Sequence, residues 1–159
     1  MAQPENLNPE EEVVEIPPML NNLLDEVIVY AKYHDEHMEA EWIPEENLFR
    51  VYQDDQPEVD VFMVDIDDAM YHESEAVVVE AEVGEMDEEI DPLALLRFCD
   101  QNLIYSRLML SKGEEGKEYI ILQAACPASQ VSAAQLDCMI REVSIYSGEL
   151  SEEDDGSDE

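Results

Sequence analysis

The sequence predicts an α+β domain in which helices pack on one face of a five-stranded antiparallel sheet, in the order helix–three strands–helix–two strands–helix. Three observations predict it. Apolar residues recur at helical spacing in three separated segments. Between them lie short β-prone runs, the clearest with period-two alternation. With 159 residues and a 45% apolar fraction, the chain is long enough to bury one core.

The first helix is expected over 17–36. Pro17 and Pro18 suit a helix start, and Leu20, Leu23, Leu24, Val27, Ile28 and Ala31 lay one stripe along its face. Three strands are expected between 47 and 84. Leu48 to Tyr52 is one; Asp54 to Pro57 punctuates it. Val59 to Ile66 is the second, and Ala76 to Val83 the third, with Val77, Val79, Ala81 and Val83 on one side and Val78, Glu80 and Glu82 on the other. A meander with one buried and one acidic face follows. Asp91–Pro92 opens the second helix as N-cap and first helical residue, running to about Asn102. A hairpin is expected over 105–125, with its turn at Lys112 to Lys117 and an apolar, central second strand from Tyr119 to Ala125. Ser132 to Gln135 forms a capping box for the third helix, striped by Leu136, Met139, Ile140 and Val143 and stopped at Gly148.

Charge is the dominant feature of the composition: 42 acidic residues face 7 basic ones, for a formal net charge of −35. That sign excludes direct nucleic-acid binding, in which Lys and Arg replace the counterions of phosphates, and it opposes anionic membranes. Cations and basic proteins are the natural attractors. No apolar run approaches bilayer length. Acidic segments 1–15 and 148–159 contain no base and are expected to be disordered tails flanking a single domain, 16–147. Within that domain, 35–91 holds 22 acids and only Arg50, whereas 92–147 holds six acids and five bases. Adaptation to a salty solvent would acidify most of the surface, so the nearly neutral last third speaks against salt as the whole explanation. Cys99, Cys126 and Cys138 are an odd count without a CxxC pair and sit in apolar contexts, which predicts structural thiols in a reducing, cytoplasmic setting.

No segment carries a catalytic, cofactor or metal signature, and none is assigned. His34–Asp35–Glu36–His37 has two histidines that could share a helix face, but it is not the i, i+4 pair of HExxH. Asp65–Ile66–Asp67–Asp68 has the carboxylates of a calcium loop without its glycine, and reads as a strand end entering an acidic turn. Gly113–Glu114–Glu115–Gly116–Lys117 lacks Walker spacing, and Glu118 stands where Ser or Thr is needed; a hairpin tip is expected. Trp42, the only tryptophan, is read as a core plug rather than an interface anchor.

Asp91–Pro92–Leu93–Ala94–Leu95–Leu96–Arg97–Phe98 is followed by paired strands. Ile120 to Pro127 then leads through a short break into Val131–Ser132–Ala133–Ala134–Gln135–Leu136. This succession resembles the YbjN family, whose fold is similar to that of type III secretion chaperones. The resemblance covers roughly 17–147 and is specific only over 91–147. It implies a chaperone-like or regulatory homodimer that binds a partner polypeptide and is not an enzyme. It carries no functional residue across. The expected partner is a protein, basic if the acidic region is what it meets. The alternatives are an acidic mimic of nucleic acid occupying a basic groove, a salt-adapted domain of other activity, and an enzyme of unrecognised type.

Overall fold

A computed structural model describes residues 15–66 and 74–156. Its elements are α1 (Pro18–Tyr33), β1 (Met38–Ile43), β2 (Leu48–Gln53), β3 (Val59–Ile66), β4 (Ser74–Glu85), α2 (Pro92–Asn102), β5 (Ser106–Lys112), β6 (Glu118–Pro127) and α3 (Ala133–Gly156). The α+β class is as expected, but the sheet has six strands, not five. All neighbours are antiparallel, in the order β1-β2-β3-β4-β6-β5. The additional strand, β1, alternates cleanly. Met38, Ala40 and Trp42 turn toward the core, while Glu39 and Glu41 turn away.

Register lines up the inner face across strands. Phe49 lies opposite Val61, Val61 opposite Val79, and Val79 opposite Ala124. These side chains are buried against Leu20, Leu24 and Val27 of α1 and Leu136, Met139, Ile140 and Val143 of α3. Trp42 is half-buried on this face and meets the Phe49 ring edge-on at 4.9 Å, as a core plug should.

The outer face is not uniformly acidic. One row crosses all six strands: Glu41, Arg50, Asp60, Glu80, Gln123 and Arg107. Arg50 donates to Asp60 at 2.9 Å, Gln123 to Glu80 at 3.1 Å, and Arg107 to Gln123 at 3.0 Å. Beside it runs an apolar row containing Leu48, Phe62 and Val78, of which Leu48 and Val78 are buried.

α1 ends at Tyr33, three residues before the expected limit, because Asp35 adopts a left-handed conformation (φ 59°). The amide of Asp35 donates to Lys32 O and that of Glu36 to Ala31 O, a Schellman closure that satisfies the last carbonyls. This turn aims Glu36 at α3, where Arg141 holds it through two bonds of 2.8 and 3.0 Å while also bonding Asp137 at 2.9 Å.

At the other end, α3 does not stop at Gly148; it continues to Gly156 and so enters the segment 148–159. Gly148 serves packing instead. A Cβ there would lie 3.1 Å from Pro57 Cγ, so glycine lets α3 approach the β2–β3 loop. Ser144 Oγ donates to Pro57 O at 2.7 Å, and Ser151 Oγ to Val83 O at 3.0 Å, where a bulge breaks the β4–β6 register. The N-terminal segment 1–14 lies outside the described residues. Among those described, no helix is long and apolar enough to cross a membrane.

The Arg141 guanidinium holds the Glu36 carboxyl below its ordinary value, first through the hydrogen bonds and then through charge. A lowered folded-state value means that the clamp contributes at neutral pH and is lost as pH falls through the carboxylate range. Glu36 is about half exposed, so solvent screening limits the effect to about 1 kcal/mol. Glu36→Gln should therefore lower thermal stability slightly at pH 7, and its difference from the native chain should vanish toward pH 3 in parallel melts.

Candidate functional site

The corner between α2 and β5 collects the features that a binding site needs. α2 starts as its sequence dictates. Asp91 accepts from the Leu93 amide at 3.0 Å, and Pro92 occupies the first turn, where no amide is required. Asn102 Nδ2 donates to Phe98 O at 3.1 Å, and the Leu103 amide to Cys99 O at 3.1 Å, closing the helix before the chain turns into β5.

A carboxylate from α3 holds that turn. Glu142, nearly buried, accepts from the amides of Ile104 (3.0 Å), Tyr105 (2.9 Å) and Ser106 (2.7 Å), and from the Ser106 hydroxyl. Three consecutive backbone donors converge on one anion, which makes the turn a preorganised cradle rather than a loose loop. The neighbouring Tyr105 phenol is pushed above its ordinary value, first by the charge Cys138 develops on ionising, then by their hydrogen bond.

The cradle presents apolar surface outward. Leu96 is 66% and Ile104 82% exposed; Leu93, Tyr105 and Leu110 are exposed as well. Among the described residues β5 pairs only with β6, so beyond the Ser106 amide held by Glu142 its far side is a sheet edge. No residue of α2 is buried, and its Phe98 ring meets Tyr146 of α3 edge-on at 5.6 Å.

Beneath α2 lies a groove of about 580 Å³, within the range of ligand-sized clefts. Val83, Ile120 and Leu150 face Ala94, Leu95 and Phe98 across it, with Glu85, Glu89, Asp91 and Arg97 also in its lining. A smaller, polar cleft of about 360 Å³ lies at the Arg141 clamp and includes His37, Gln53 and Asp54. Gln53 Nε2 is buried there without a partner, but Arg141 is already committed to Glu36 and Asp137.

The histidines considered as ligands do not share a helix face. His34 caps α1 and packs on Tyr30, whereas exposed His37 lies beyond the helix with Nε2 3.5 Å from Glu39. Among the described residues, no three His, Cys, Asp or Glu side chains converge to hold a metal. Asp65 is exposed on β3; Asp67 and Asp68 lie outside the described residues. Glu114–Gly116 forms one 3-10 turn at the hairpin tip, with Gly113 N donating to Lys117 O at 2.7 Å. The expectation of core thiols holds for buried Cys126 but not for Cys138, which is exposed on α3; Cys99 is half-buried.

Glu142→Ala strips one charged acceptor from three amides at once. With each charge-assisted bond worth about 1.5–3 kcal/mol and partly replaced by water, a loss of about 3 kcal/mol is expected in denaturant unfolding. Amide exchange at Ile104–Ser106 should accelerate more than in the central strands. Unchanged exchange at those three amides would show that the turn holds without the carboxylate. In comparison with known proteins, no family model matches this chain, and no curated protein matches it.

Proposed function

We propose that this chain is a non-enzymatic interaction module, chaperone-like or regulatory, that binds a partner polypeptide through the α2–β5 corner. The observation that carries this reading is the run of exposed apolar side chains on α2, the Ile104–Tyr105 turn and β5. Surface of this kind is costly to leave in water and typical of binding faces. The edge of β5 supports it: among the described residues no strand lies on its far side, and an extended segment can add to such an edge through backbone bonds.

Charge distribution supports the same corner. It belongs to residues 92–147, where six acids meet five bases, so close approach of a second polypeptide meets little repulsion there. A second copy of the chain fits this condition as well as a foreign partner does. Homodimerisation through β5 and α2 is therefore part of the proposal, as is membership of the YbjN family, whose resemblance implies the same kind of activity. No catalytic, cofactor or metal residue is assigned.

Leu96→Asp with Ile104→Asp places two charges in the apolar run without touching the Glu142 cradle's acceptor. The native chain should sediment as a dimer, or retain a specific protein from host lysate in 1 M salt. The double variant should lose that association while keeping its circular dichroism. A monomeric native chain that retains nothing at 0.1 or 1 M salt would end the reading, as would a double variant that associates like the native chain.

A further inference from the structure

The groove beneath α2 has apolar walls and an acidic rim, and the two together specify an occupant. Val83, Ile120 and Leu150 on one side and Ala94, Leu95 and Phe98 on the other leave about 580 Å³, enough for more than one large side chain. Small-molecule sites add a few converging polar groups that fix orientation. Here the one buried side-chain atom without a partner among the described residues, Gln53 Nε2, lies elsewhere. The groove thus offers shape and apolar contact with no buried polar handle, which suits side chains of a polypeptide.

Three carboxylates, Glu85, Glu89 and Asp91, line the groove against one guanidinium, Arg97. Asp91 is engaged in capping α2. Glu85 and Glu89 are exposed, and neither forms an ion pair among the described residues. α2 itself has no buried residue, so it can yield as an anchor enters.

We infer that the groove takes the apolar anchors of an amphipathic segment whose flanking residues are Lys or Arg, with Glu85 and Glu89 as the charges that meet them. This rests on the reading of the chain as an interaction module and adds to its α2–β5 corner the adjoining groove and the partner chemistry that groove selects. The apolar walls supply affinity; the rim selects the sign of the flanks.

The test uses the full chain and a fluorescent Leu–Lys peptide of amphipathic helical pattern, with one twin carrying Glu for Lys and another Ser for Leu. Anisotropy titrations at 0.15 M salt should show the Leu–Lys peptide binding at least about tenfold more tightly than either twin. Glu85→Lys with Glu89→Lys should weaken it by about tenfold or more. Glu39→Lys with Glu41→Lys, the same charge change on the distant β1 edge, should weaken it by less than about threefold. Ala94→Trp, which fills the groove, should abolish binding. Equal losses in the two charge-swapped variants would mean diffuse attraction to an acidic protein and would overturn the proposal. Tight binding of the Glu twin would overturn the basic flanks while leaving the interaction module standing. If no peptide binds, the groove is not the docking site. The wider reading then stands or falls separately, on whether Leu96→Asp with Ile104→Asp loses its lysate partner or its dimer.

Discussion

The corner that this protein presents to its surroundings depends on one carboxylate. Glu142 collects three successive backbone amides and a hydroxyl at the start of β5. Without it, three donors would face the interior side of a turn that no regular ladder satisfies. Its position on α3 ties the edge of the sheet to the central helix. The same helix reaches the α1–β1 turn through Arg141, the β2–β3 loop through Ser144 and the β4 bulge through Ser151. α3 therefore does two jobs with opposite chemistries. Its apolar stripe supplies core, where each large side chain contributes about 1.5–3 kcal/mol. Its polar residues set where the loops stand.

That division decides what is rigid. The meander and the β6 strand are locked by in-register apolar rows covered by α1 and α3. α2 has no such cover and is attached by its caps and by contacts along the groove. Among the helices, α2 alone exposes large apolar side chains (Leu93 and Leu96) while burying none, a combination suited to adapting its position against another molecule.

Much of this was legible in order. The caps of α2 and α3 follow from Asp91–Pro92 and Ser132, because capping is local chemistry; Ser132 Oγ accepts from the Gln135 amide at 3.1 Å. The missing strand, β1, was legible too. Met38–Glu–Ala–Glu–Trp42 alternates strictly, but its glutamates were read only as part of an acidic region. Gly148 misled because a glycine that ends a helix and one that admits a neighbouring proline look the same in sequence. The Glu142 cradle was not legible at all, since its partners lie 36 to 38 residues away and nothing local separates this glutamate from the other acids. Exposure of Cys138 escaped for the same reason: its apolar neighbours point to the core while it points out.

The row of side chains that crosses the sheet has one further consequence. It begins with Glu41 on one margin and ends with Arg107 on the other, so the sheet is polarised from edge to edge. Two copies meeting β5 to β5 make a closed pair, whereas β5 meeting β1 of the next copy makes an open chain that charge attraction along this row would favour. The large excess of negative charge carried by every copy opposes such filaments. The acidity that dominates the composition is thus a colloidal safeguard against edge-to-edge growth of a sheet whose β1 and β5 margins have no strand neighbour among the described residues. That safeguard weakens wherever the carboxylates are neutralised.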